Sequence, residues 1–234
     1  MNDKEVIRYL KSISNKNEKD LAGMARFGIN TENALVISIP KLRQYAKTVI
    51  KNESPKNRHE IAINIWNSKI HEARILAGFI DDPYLVTEKQ IEKWVKDFDS
   101  WDVCDLVCSN LFDKTKFAYQ KAEEWSKRKE EFVKRAGFVL MAALSVHDKK
   151  MEDKPFLDFL EIIKRESWDE RNFVRKAINW ALRQISKSRS LNLYKEGLRV
   201  AYQIKRQDSK AARWIANNAI IELEKDYIKN KFGR

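Results

Sequence analysis

Hydrophobic positions recur at intervals of three and four along nearly the whole chain, the spacing of helices that bury one face. Val6, Ile7, Leu10 and Ile13 make the first stripe, and Leu21, Met24, Ala25 and Phe27 the second. Pro40 stands where a helix can begin, ahead of Leu42, Tyr45, Ala46 and Val49. Pro55 opens another helix, with Ile61, Ile65 and Trp66. Ile70 to Ile80 forms a short one that stops at Asp81-Asp82-Pro83. Thr87 caps a helix bearing Ile91, Trp94, Val95 and Phe98, and Ser100 or Asp99 caps the next, from Trp101 to Phe112. Further helices are predicted over 116–128, 131–146, 155–166, 170–186, 191–205 and 209–229. No segment alternates with period two, so no strand is predicted and the chain reads as all-α.

No composition break or Gly/Ser-rich linker divides the sequence, and a single domain over residues 1–234 is expected. Short helices joined by short links suggest stacked helix pairs. Phe132-Val133-Lys134-Arg135-Ala136 returns 41 positions later as Phe173-Val174-Arg175-Lys176-Ala177. A looser copy follows at Ala211-Ala212-Arg213-Trp214-Ile215-Ala216, and an earlier one runs from His71-Glu72-Ala73-Arg74 to Ala77. A period near 40 fits two-helix repeats of the HEAT type, stacked into an α-α solenoid whose groove can hold a macromolecule.

Composition narrows the class. Six Gly and four Pro among 234 residues are too few for a fold of many tight turns. The longest uncharged apolar run, Gly137 to Val146, is half of the roughly 20 residues a membrane span needs. The amino-terminal residues carry no apolar signal segment, and Cys104 and Cys108 make no disulfide framework, so a cytoplasmic protein is expected. The net charge is +12 and it is lopsided: residues 1–117 carry 19 basic and 17 acidic side chains, residues 118–234 carry 27 and 17. Such clustering suits a polyanion.

Glycine-rich phosphate loops and a Ser-His-Asp or Cys-His arrangement are missing, and no metal or cofactor is expected. His59, His71 and His147 lie far apart, and the i, i+4 cysteine pair has no further metal ligands nearby, so two buried thiols are expected. The unusual segment is Ser100-Trp101-Asp102-Val103-Cys104-Asp105. Asp105 falls on the apolar stripe beside Trp101, where a carboxylate is costly unless a cation or donors answer it. Asp102, in the first turn, needs no more than the favourable helix end. Arg135 borders the buried stripe of its helix, and Trp180 lies on one edge of its own, seven after Phe173. A structural ion pair and core tryptophans would account for these residues. Equally, a carboxylate, aromatic faces and a cation gathered in one groove would suit a cationic ligand on DNA.

The sequence resembles bacterial DNA alkylation repair glycosylases of the AlkD type, which are HEAT-like. The likeness spans roughly residues 5–225 and rests on Met24-Ala25-Arg26-Phe27-Gly28-Ile29, Ile39-Pro40-Lys41-Leu42-Arg43, the Trp101-Asp102-Val103-Cys104-Asp105 element, Lys134-Arg135-Ala136, and Phe173 to Arg183 with its Arg-Lys-Ala-x-x-Trp core. Asn30 to Val36 is longer than the family pattern leads one to expect. The resemblance implies that Asp105 is the catalytic carboxylate, that Trp101 and Trp180 pack against the lesion's deoxyribose, and that Arg135 grips the backbone near it. Arg175, Lys176, Arg183 and Arg213 join Arg135 as expected DNA-binding residues. It further implies excision of N3- and N7-alkylated purines from double-stranded DNA, without base flipping and without a metal, by a protein expected to be monomeric. Some relatives bind DNA without excision, so a HEAT-like binder of damaged or branched DNA that does no chemistry is the second alternative, and a protein-binding HEAT scaffold is the third.

Overall fold

The computed structural model describes residues 1–232, and among them every regular element is helical. Two compact units follow one another, one spanning Met1–Lys116 and one beginning at Phe117.

The first unit comprises α1 (Asp3–Ser12), α2 (Glu18–Arg26), α3 (Ile39–Asn52), α4 (Pro55–Trp66), α5 (His71–Ile80), α6 (Glu88–Lys96) and α7 (Trp101–Asn110). Side-chain caps start several of these helices: Asn2 builds a capping box with Glu5, and Thr87 accepts the Gln90 N–H. Prolines in the first turns of α3 and α4 act as the sequence predicts. α5 packs against α3, α4 and α7, and it is buried at nine of its ten positions. The core under it is aromatic. Trp66 and Trp94 stack with centroids 4.0 Å apart, and Phe98 and Phe112 close around them.

The second unit comprises α8 (Ala118–Ser126), α9 (Glu131–His147), α10 (Lys154–Glu166), α11 (Asn172–Ser188), α12 (Leu191–Lys205), α13 (Lys210–Leu223) and α14 (Asp226–Lys231). α8, α10 and α12 form one row and α9, α11 and α13 the other. Successive copies of the 41-residue repeat touch: the Phe132 and Phe173 rings lie 5.4 Å apart, and the Arg175 guanidinium sits 5.0 Å from the Trp214 ring.

Four details depart from the sequence pattern. The predicted helix over 209–229 breaks at Glu224, and its last turn turns back so that Ile228 packs on Tyr194 and Leu223. α7 ends at Asn110, with a separate 3-10 turn over Phe112–Lys114. α6 ends at Lys96, so Phe98 reaches the core from a loop. The stripe of α2 is not a core stripe: the helix has no buried residue, and Phe27 is 65% exposed. Asp20 and Met24 of this short helix line a cleft whose other wall includes His71 and Ile75 of α5 and Asp102 of α7, so its inner face is only partly covered.

Close helix approach sets two glycines. A Cβ on Gly137 would lie 2.6 Å from the Ser126 nitrogen, and one on Gly197 would meet the Ser186 side chain. Gly137→Ala forces backbone apart and should cost about 1–3 kcal/mol. Gly23, with open space around its Cβ position, should instead gain up to about 1 kcal/mol as alanine in a helix. Thermal unfolding of the two variants should shift in opposite directions, G137A downward and G23A upward.

Candidate functional site

α7 carries Trp101 at its first position and Asp105 one turn later, and both are half-buried. The start of this helix is fixed by an arrangement that local sequence does not announce. Ser100 occupies the cap position, yet its hydroxyl accepts no helix N–H. It donates to Asp102 Oδ1 at 2.6 Å, and that same oxygen accepts the Val103 N–H at 2.9 Å. Asp102 Oδ2 meets His71 Nε2 of α5 at 2.9 Å. Asp102 therefore caps its own helix and bolts it to α5, a larger part than the favourable helix end its position suggested.

The His71–Asp102 pair is well shielded. Burial disfavours a charged ring at His71, but the Asp102 carboxylate, with Glu72 and Asp99 nearby, outweighs it and holds the imidazolium above its ordinary value. Burial likewise penalises charge on Asp102, but His71, the Ser100 hydroxyl and the Val103 N–H together hold its carboxyl below the usual range. Cys104 and Cys108 lie behind, fully buried and unbridged, and burial pushes the Cys108 thiol well up.

The neighbouring residue of α5 holds a loop. The Glu72 carboxylate accepts the N–H groups of Leu35 at 2.8 Å and Ile37 at 3.2 Å. Between them Val36 adopts φ 59°, a left-handed conformation that a β-branched residue resists. The other end of the loop is tied to α7: the Trp101 indole N–H donates to the Phe27 carbonyl at 3.0 Å, and Asn30 donates to Asp99 at 3.1 Å. The extended segment Asn30 to Val36 is thus ordered by the residues that flank Trp101.

Arg135 and Trp180 belong to the second unit, on the adjacent helices α9 and α11. Arg135 is 6% exposed, and its Nη1 donates to the Phe173 carbonyl at 2.6 Å. Trp180 is half-buried. The remaining basic residues differ in what they can offer. Arg183 and Lys187 close on Glu222, and Arg175 lies against Trp214. Arg213 is exposed and bonds Asp208 at 3.2 Å, while Lys176 is exposed on α11. Among the described residues no group of His, Cys, Asp and Glu side chains could hold a metal ion, and no helix is long and apolar enough to cross a membrane.

Three features escape the sequence pattern. His71 is 31 positions from Asp102, Glu72 acts on backbone 35 and 37 positions away, and Lys134 is a buried cation shared by Glu166 at 2.8 Å and Asp169 at 3.0 Å. The only local signal is the charged content of the early repeat copy, His71-Glu72-Ala73-Arg74, in a helix otherwise apolar.

The His71–Asp102 pair has a pH signature. The raised histidine contributes stability that is full below its unfolded value near 6.5 and is lost as pH rises through the folded value. The depressed aspartate contributes above its unfolded value near 3.8 and loses that as pH falls. His71→Gln should therefore cost most between about pH 4 and 6.5, on the order of 3 kcal/mol, and progressively less toward pH 9. Urea unfolding of both proteins across that range measures the difference. A cost independent of pH would mean that His71 titrates alike in the folded and unfolded chain, and a cost that shrinks as pH falls below 6.5 would mean that the folded protein holds it neutral.

The family model for the DNA alkylation repair enzyme matches residues 9–223. A search of the curated proteins finds no match. Among solved structures, one from a new family of proteins related to the HEAT-like repeat DNA glycosylases with affinity for branched DNA structures is 19% identical, with 93% of each chain covered and a TM-score of 0.73. Smu.31 from Streptococcus mutans UA159 is 20% identical, covering 86% of this chain and 96% of its own, with a TM-score of 0.58. At such identity the structural likeness establishes the HEAT-like helical-repeat fold. Together with the match over most of the sequence, it places the chain in the DNA alkylation repair enzyme family.

Proposed function

We propose that the protein binds double-stranded DNA and hydrolyses the N-glycosidic bond of cationic N3- and N7-alkylated purines. The observation that carries this reading is the Trp101–Asp105 pair on one rigidly started helix turn, in a chain of this family. Such a purine carries its positive charge before the reaction and leaves as a neutral base, so no general acid is needed. As the C1′–N bond breaks, its electron pair passes to the base nitrogen and the sugar gains oxocarbenium character. The Asp105 carboxylate stabilises that charge and orients a water, whose oxygen bonds to C1′ while its proton passes to the carboxylate and then to solvent. The products are an abasic deoxyribose and the free base. Trp101, with its indole N–H held by the Phe27 carbonyl, presents a fixed face to the sugar. In this reading Trp180 supplies the second aromatic face, and Arg135 a cation near the flanking phosphate. Lys176 and Arg213, both exposed, with Arg175 and Arg183, contact the backbone.

A second reading is a DNA-binding protein without excision. The 19%-identical neighbour is described by its affinity for branched DNA, and the Arg135 side chain here is largely enclosed and bonded to Phe173.

Asp105→Asn decides between them. The variant keeps size and removes the charge, so single-turnover release of 7-methylguanine should fall about 10²-fold or more, in line with loss of one preorganised electrostatic partner. Affinity for the same duplex should hold, because DNA is itself anionic. A wild-type protein that binds but releases no base supports the second reading, and an unchanged rate in a folded D105N protein assigns Asp105 to structure.

A further inference from the structure

The second unit contains a groove of about 840 Å³ that none of the residues assigned above occupies. Trp168 lies in its wall, in the turn between α10 and α11, and is 58% exposed. A tryptophan leaves that much indole in water only rarely. The exposure is not looseness. The Lys134 ammonium lies 5.4 Å from the ring centroid, and it is itself buried between Glu166 and Asp169. Asp169, next to the tryptophan, accepts from Arg171 Nε at 3.0 Å and Nη2 at 2.6 Å. Arg171 Nη1 then donates to the Lys129 carbonyl at 2.6 Å, which fastens the turn of Trp168 to the turn between α8 and α9. That second turn is Lys127-Arg128-Lys129, and its two lysines are exposed at the groove. A rigid indole, backed by a fixed cation and flanked by lysines, is the combination that holds an unpaired base with its phosphates.

We infer that this groove binds single-stranded nucleic acid, with one neutral base stacked on Trp168 and the neighbouring phosphates against Lys127 and Lys129. A paired base within a duplex has both faces covered by its neighbours, so the indole gains nothing from intact double helix. The cation already on the ring disfavours a second cation, so the stacked group is an ordinary base rather than an alkylated one. The groove lies wholly within the second unit and does not involve Trp101 or Asp105. The inference rests on the DNA-binding reading and deepens it: the second site takes the single-stranded arm of a fork or flap beside a duplex.

The test is fluorescence anisotropy with two labelled DNAs of common duplex sequence, one blunt and one bearing a single-stranded arm of about ten thymidines, titrated with the intact protein. Trp168→Ala should weaken binding to the armed DNA about ten-fold and leave the blunt duplex within two-fold, with Trp168→Phe retaining most of the affinity. Lys127→Ala/Lys129→Ala should flatten the salt dependence on the armed DNA by a log–log slope of about 1.4 and leave that of the blunt duplex unchanged. These lysine variants also stand as the test if the tryptophan variant does not fold. Unchanged affinity of W168A for the armed DNA, or an equal loss on both DNAs, overturns the inference while leaving duplex binding intact. A wild-type protein that binds neither DNA overturns the DNA-binding reading itself, and this inference with it.

Discussion

One interaction sets the register of the repeats: a cation at the fourth position of a repeat helix, reaching across to the turn or helix of the neighbouring repeat. Arg74 in α5 donates to the Asp97 carbonyl at 3.0 Å and to Asp99 at 3.3 Å, under the Trp66 ring. Lys134 in α9 joins Glu166 and Asp169 of the next turn. Arg175 in α11 lies on Trp214 of α13. Arg213 in α13 departs from the series and bonds exposed Asp208 in the turn that precedes its own helix. Both Arg74 and Lys134 are less than a tenth exposed. Removing a partner of the Lys134 pair, buried on both sides, leaves a charge without an answer and costs about 3–5 kcal/mol, whereas sliding one repeat past the next breaks the pair outright. Apolar stripes of leucine and isoleucine tolerate slippage; these pairs do not. Gly137 and Gly197, which admit the close helix approaches, complete the constraint.

The candidate site uses the same device in a different form. Where other repeat helices carry a cation, α7 carries Cys104, and the tie comes from the opposite direction: His71 on α5 reaches forward to Asp102. That reversal gives the first turn of α7 carboxylates and an indole in place of a cation. Glu72 of α5 holds one end of the long loop through the N–H groups of Leu35 and Ile37, and at its other end the Trp101 indole of α7 donates to the Phe27 carbonyl. Preorganisation of this kind is what electrostatic stabilisation of a sugar cation requires.

Helix content and the 41-residue period are legible in the sequence because both depend on local spacing, and the adjacent Phe132 and Phe173 rings show that the period is in register. The buried thiols follow from the apolar face of α7. Phe27 misleads because periodicity reports a face, not what covers it; α2 has no buried residue, and its Phe is left 65% exposed beside Arg26. The break at Glu224 is hidden because the apolar spacing continues through it, and the turn is imposed by packing of Ile228 on Tyr194. His71–Asp102 and Trp168 are illegible for a related reason. Their meaning lies in partners 30 to 40 positions away, and a single histidine or tryptophan at helical spacing carries no mark of that.

The proposed chemistry rests on the leaving base supplying its own charge. Single-turnover excision from duplexes that differ only in the lesion measures this directly: 7-methylguanine and a bulkier N7-alkylguanine against hypoxanthine and 1,N6-ethenoadenine. An enzyme that stabilises only the sugar cation releases both cationic bases and leaves the neutral ones in place. Efficient release of hypoxanthine or ethenoadenine would require a proton donor to the departing base, and would contradict a mechanism that runs on the Asp105 carboxylate alone.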